Sequence, residues 1–141
     1  MPIMLISALA FLLTTNASAY STLDCTSNNH LTYSSHSKVG GARPFPGMVV
    51  HVEEIKKDNE VIYRRVQRED CDSRDFCEIQ RPELNDIDLT GATFHFIPES
   101  KRVLSTHGEV GEAITKETYV VKFLFEKEIW MLCDAFSALY P

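Results

Sequence analysis

Beyond its first residues the chain has no apolar pattern at helical spacing that lasts three turns, no internal repeat and no low-complexity tract. Antiparallel β structure is what remains. Motif-borne catalysis is missing as well: there is no G-x-S-x-G, no S-x-x-K and no H-E-x-x-H. Nor do basic residues gather into a patch with interleaved aromatics. Lys56-Lys57 and Arg64-Arg65 are the densest basic pairs, and Glu53, Glu54, Asp58 and Glu60 surround them. A chain of formal net charge −6 with no such patch repels a phosphate backbone, so nucleic acid is not an expected partner.

Metal-binding patterns are absent too. No two of His30, His36, His51, His95 and His107 stand at i, i+2 or i, i+4 spacing, and Cys71-x5-Cys77 lacks the spacing of a zinc site. Glu69, Asp70, Asp72 and Asp75 could offer calcium its oxygens. The turn glycine of an EF-hand is missing, however, Arg81 occupies the twelfth position from Asp70, and Arg68 and Arg74 oppose a cation. No metal and no cofactor is expected.

What the chain does have begins with Ile3–Leu13, an apolar run followed by Ala17-Ser18-Ala19. This is the order of a signal peptide with cleavage before Tyr20, although Met1–Met4 contains no Lys or Arg. The run falls short of the about 20 residues that cross a bilayer. Asp24 before Cys25 does not suit lipid attachment. The reading is a signal peptide over 1–19 and one β domain over 20–141, secreted or periplasmic, with no stable membrane insertion after cleavage.

Four cysteines, an even number, fit an oxidised exported domain. We expect Cys71–Cys77 inside a short polar loop and Cys25–Cys133 joining the first ordered segment to the last. On chain entropy the local bridge contributes ~2.4 kcal/mol and the long one ~4.8 kcal/mol.

The strongest β signal is Thr118–Phe136. Tyr119, Val121, Phe123 and Phe125 share one face of a strand, and Ile129, Met131 and Cys133 share one face of its partner. The turn is placed near Lys127 and Glu128. A two-residue turn sets Phe125 against Trp130, and a three-residue turn sets Val121 against Cys133. Apolar residues on both faces predict a closed or covered sheet. Residues 48–68 read as an edge hairpin, His30–Ser34 and Arg102–Thr106 as short strands, and Ala92–Ile97 as a strand ended by Pro98. Ser35–Gly47 and His107–Lys116 read as loops, and Gln67–Asp88 as charged and turn-rich. The sum is an all-β, small antiparallel barrel or sandwich of six to seven strands, disulfide-linked.

Two candidate sites follow. The stiff Gly/Pro loop at 35–47 presents Arg43 and Phe45, residue types favoured at protein contacts. Phe123, Phe125 and Trp130 are candidates to line an aromatic ligand cavity in the barrel. The expected function is therefore that of a non-enzymatic binding module engaging a protein through the 35–47 loop, with a small-ligand carrier as the alternative and a hydrolase behind it.

Overall fold

The computed structural model describes residues 18–40, 48–70, 84–109 and 114–140. Within them the chain forms β1 (Ser18–Thr26), β2 (Leu31–Gly40), β3 (Met48–Lys57), β4 (Glu60–Asp70), β5 (Ile87–Leu89), β6 (Ala92–Glu109), β7 (Ile114–Phe125) and β8 (Lys127–Tyr140). The eight strands make one sheet in the order β4-β3-β2-β1-β8-β7-β6-β5, with every ladder antiparallel. Each strand pairs with its sequence neighbour except at one place, where the first strand lies against the last. The described strands thus form two meanders joined through β1 and β8, curled into a nearly closed barrel. Its seam falls between the sheet's two ends, β4 and β5.

Curling is visible in what meets across the interior. Tyr33 of β2 stacks on Phe94 of β6 with ring centroids 5.6 Å apart, and Phe94 stacks on Phe123 of β7 at 4.4 Å. β6 and β7 are neighbours, but β2 and β6 are separated by three strands in the sheet order, so only a rolled sheet brings Tyr33 onto Phe94. Near the seam, Asn85 lies just ahead of β5. Its side-chain amide donates to Glu53 of β3 at 3.2 Å, joining the β5 end to the other half through a side chain.

Alternation sets the inner face. Leu23, Cys25, Tyr33, Ile55, Tyr119, Val121, Phe123, Met131 and Cys133 are all buried in one cluster. Cys25 and Cys133 are directly opposed in the β1–β8 ladder, with Cα atoms 4.0 Å apart, and form the long disulfide. Cys71 and Cys77 lie outside the described residues.

Several expectations are corrected. Eight strands replace six or seven. Two strands are added, β1 over Ser18–Thr26 and β5, where Ile87-Asp88-Leu89 alternates ahead of a Thr90-Gly91 turn whose glycine has φ 83°, while the separate strands expected at 92–97 and 102–106 are one strand, β6. Pro98 does not end its strand. Instead β6 runs on through an irregularity in which Ile97 pairs with Lys122 and Arg102 with Val120. There Ser100 Oγ donates to the Ile97 carbonyl at 2.6 Å and accepts the Lys122 N–H at 2.8 Å. A hydroxyl stands in for the main chain, satisfying groups that the interruption would orphan. Residues 35–40 belong to β2 rather than to a loop, and the expected loop at 107–116 is strand up to Glu109 and again from Ile114.

The last hairpin reverses at Glu126, not at Lys127–Glu128. Glu126 adopts φ 61°, and Phe123 pairs with Ile129 and Val121 with Met131, which is neither expected register. Asp58 and Asn59 turn the β3–β4 hairpin with φ of 53° and 64°, the positive pair that a type I′ turn requires.

The expectation that both faces of β7 and β8 are covered also fails. Leu124, Trp130 and Leu132 point outward at 43%, 49% and 42% exposure, whereas Phe123 is fully buried. Trp130 is paired on the outer face with Lys122, whose Nζ lies 5.1 Å from the ring centroid and 3.1 Å from Glu128. This difference is testable. Phe123→Ala should cost about 3–5 kcal/mol of unfolding free energy, and Trp130→Ala less than about 1 kcal/mol. Urea unfolding of both variants that gave equal losses would contradict the assignment of faces.

Candidate functional site

The barrel interior is divided along its axis, and the ladders show how. At one level Ile55, Tyr33, Cys25, Cys133 and Tyr119 follow one another across β3, β2, β1, β8 and β7. Together with Phe94, Phe123, Phe125 and Met131 they make an aromatic plug. One step toward the chain-terminal end of β1 and β8, the corresponding row is Glu53, Ser35, Leu23, Ala135 and Glu117. One step further it is His51, Ser37, Ser21, Ser137, Thr115 and Gly108, now reaching β6. Large aromatic side chains therefore give way to smaller and more polar ones, among them Ser35, Ser37, Ser21, Ser137 and Thr115. Such side chains cannot fill the width that aromatics fill at the other end.

Glu53 sits where the two zones meet. It is a buried carboxylate with three partners: the Tyr33 hydroxyl donates to Oε2 at 2.6 Å, Asn85 donates to the same oxygen, and Arg65 lies 3.6 Å from Oε1. A charge removed from water persists when it is bonded in this way. Burial, reinforced by the hydrogen bond and charge of Glu53, pushes the Tyr33 phenol well above the usual tyrosine range. The phenol thus remains a donor and holds β2 to β3.

The small-side-chain end opens into a cleft of about 440 Å³. Its walls are Lys101, Thr106, His107 and Gly108 of β6, Thr115, Lys116, Glu117 and Tyr119 of β7, and Ala135 and Ser137 of β8. Tyr119 forms the inner limit: its side chain is buried, and Lys101 Nζ lies 4.2 Å from its ring centroid. Lys101 also pairs with Glu117 at 3.0 Å. Burial and then the Glu117 charge push the Tyr119 phenol up to about 12, so it too stays protonated. Beside Ser137 in the ladder lies Ser21, only 1% exposed, whose Oγ has no hydrogen-bond partner among the described residues. A hydroxyl left unbonded in the interior costs about 1–3 kcal/mol, so this row retains hydrogen-bonding capacity that the described chain does not use.

The aromatic cavity expected from Phe123, Phe125 and Trp130 is not formed. Phe123 and Phe125 are core, packed on Phe94, while Trp130 faces outward on the other side of the same sheet. Strand parity separates them, because Trp130 is opposite Lys122 rather than opposite Phe125. The sole tryptophan consequently does not report on the interior. Arg43 and Phe45 lie outside the described residues.

The cleft residues passed unnoticed in the sequence because they are Ser, Thr and Lys scattered over three strands. Their signal was available only as alternation: Ser21, Leu23 and Cys25 share a face, as do Tyr119, Glu117 and Thr115. One nucleophile-like pair occurs among the described residues. Ser37 Oγ and His51 Nδ1 are hydrogen-bonded at 2.6 Å across β2 and β3. Ser37 is only 8% exposed, and neither residue belongs to the cleft wall. The described residues contain no group of three or more His, Cys, Asp or Glu side chains placed to hold a metal. His36 is instead bonded to Asp24 at 3.0 Å and His95 to Asp86 at 2.8 Å, on exposed positions.

No family model matches the chain, and searches of curated proteins and of solved structures found nothing similar to it.

The two buried phenols set an alkaline limit on stability. In each case the folded pKa lies above the unfolded value near 10.0. Their contribution is therefore complete below about pH 10 and is lost as the pH rises through the folded values. Unfolding free energy should decline from about pH 10 upward, and Tyr119→Phe should lessen that decline and remove a tyrosinate absorbance step near pH 12. Wild-type stability that stays flat to pH 12 would contradict the burial of both phenols.

Proposed function

We propose that this protein is an exported, non-enzymatic binding domain whose site is the mouth cleft between β6, β7 and β8, taking a small polar ligand. One observation carries the reading: the interior is filled by aromatics at one end and lined by smaller, more polar side chains, several of them hydroxyls, at the other. A volume of about 440 Å³ falls within the usual range of small-molecule sites, about 300–1,000 Å³. The site differs from the aromatic-lined cavity that Phe123, Phe125 and Trp130 suggested, because hydroxyl, ammonium and carboxylate-bearing residues share its wall with apolar surface.

Export fits the oxidised Cys25–Cys133 pair, which is compatible with a secretory or periplasmic compartment. The outward row Thr118, Asp134, Asp24, Ser34, Glu54 and Arg64 crosses five ladders with charges where a lipid-facing band needs apolar groups. That supports a barrel that works in water. Against a hydrolase stands the burial of Ser37, since a nucleophile must reach its substrate.

The test occludes the rim. Thr115 is exposed and lines the cleft, so Thr115→Trp should fold normally while filling the entrance. A mixed fragment set of acids, amides and neutral sugars, screened by ligand-observed NMR, should yield binders to the wild type that are lost in Thr115→Trp. Circular dichroism checks the fold. Binding that is equal in both proteins, or no fragment bound by the wild type, would overturn the reading.

A further inference from the structure

Strand alternation decides which side chains the cleft presents. Thr106 and Gly108 of β6 stand opposite Glu117 and Thr115 of β7, and Thr115 and Glu117 stand opposite Ser137 and Ala135 of β8. These positions share the inner face with Tyr119 and Cys133. His107 and Lys116 are paired with each other in the same ladder and by alternation lie on the outer face, so their charge does not enter the cleft. Lys101 does enter. It sits in the irregularity of β6, and its Nζ lies 3.0 Å from Glu117 and 4.2 Å from the Tyr119 ring centroid.

The charges of the wall therefore close on themselves. Lys101 and Glu117 carry one unit of each sign, and the Tyr119 phenol stays protonated because burial and the Glu117 charge raise its pKa. The other polar side chains facing in are the hydroxyls of Thr106, Thr115 and Ser137, each able to donate one hydrogen bond and accept two. The buried Ser21 hydroxyl, beside Ser137 in the ladder, is unbonded among the described residues, so it does not take up the Ser137 hydroxyl. Ala135, Gly108 and the threonine methyl groups supply apolar surface between these polar groups.

A wall of zero net charge, rich in groups that both donate and accept, selects by ligand charge. A carboxylate or an ammonium ion would surrender hydration and find its counter-charge already held within the pair. An uncharged molecule with several hydroxyls returns each bond that it gives up to water. Lys101 donates to it and Glu117 accepts from it, and bonds to a charged partner are roughly twice as strong as neutral ones. Its C–H surface meets Ala135 and the threonine methyls. From this we infer that the ligand of the mouth cleft is a neutral polyhydroxyl compound, a monosaccharide or a short polyol. The inference rests on the proposed binding role of the cleft and adds the ligand's charge and chemistry. The balance of the Lys101–Glu117 pair, rather than either charge alone, excludes ions, and affinity for the neutral ligand changes little with ionic strength.

Matched sugars test this on the full chain. Glucose, glucuronate and glucosamine form one set, and galactose, galacturonate and galactosamine the other. Each is titrated by ligand-observed NMR at slightly acidic pH, where the amino sugars are cationic. At least one neutral sugar should bind about tenfold tighter than its acid and its amine. Unbalancing the pair should reverse that order. Glu117→Gln leaves Lys101 without a counter-charge and should strengthen the uronate relative to the neutral sugar by about tenfold, and Lys101→Met should do the same for the amino sugar. Circular dichroism checks that both variants fold. Equal wild-type affinities across a set, or an order unchanged in both variants, would overturn the inference, while loss of that binding in Thr115→Trp would leave the cleft as a binding site. A wild type that binds other fragments in the cleft but no neutral sugar overturns the inference in the same way. Sugar binding that survives Thr115→Trp overturns the cleft reading, and this inference with it.

Discussion

The junction of the first strand with the last is the constraint on which the rest depends. Every other ladder joins neighbours in the sequence, and such contacts alone would leave two separate meanders, β1–β4 and β5–β8. The β1–β8 ladder runs from Ser18–Tyr140 to Thr26–Leu132, and the disulfide sits inside it at Cys25–Cys133. A covalent link between positions 108 residues apart removes a large share of the unfolded chain's freedom, on the order of 5 kcal/mol in the chain-entropy account. It acts at the position where the fold has no local contact to rely on.

From that junction the interior organises itself. Cys25 and Cys133 lie in the same row as Tyr33 and Tyr119, so the disulfide is part of the core it secures. On one side of this row the aromatic stack closes the space. On the other, Ser21, Ser37 and Ser137 line a row that holds hydroxyls and little bulk. The cleft is thus a consequence of where the aromatics stop, and its donors follow from the side chains that replace them. Glu53 ties the seam from within by accepting from both Tyr33 and Asn85, which brings the β5 end of the sheet to β3 without a main-chain ladder.

Much of the fold was legible in the sequence, because period-2 alternation is local. The inner faces of β7 and β8, the hairpin at 48–68 and the long disulfide pairing could all be read from residue order. What escaped depended on groups that carry no sequence signal. Glu126 and His30 adopt positive φ without being glycine, so neither turn announced itself at its true position. Pro98 ordinarily stops a strand, and here the Ser100 hydroxyl bridges the irregularity past which β6 continues. Trp130 was grouped with Phe123 because both are aromatic, although an even and an odd position on strands joined at Glu126 face opposite ways. The cleft could not have been read at all: Lys101, Thr115 and Ser137 come together only through ladders whose registers the sequence left open.

That an oxidised Cys25–Cys133 pair joins the two ends of the β domain can be tested without any ligand. Peptide mapping of the unreduced native protein by mass spectrometry would reveal the pairing of its four cysteines directly. The account predicts one linked fragment pair containing Cys25 and Cys133, with no alkylatable thiol at either. Finding Cys25 joined to Cys71 or Cys77, or free in the folded protein, would contradict it.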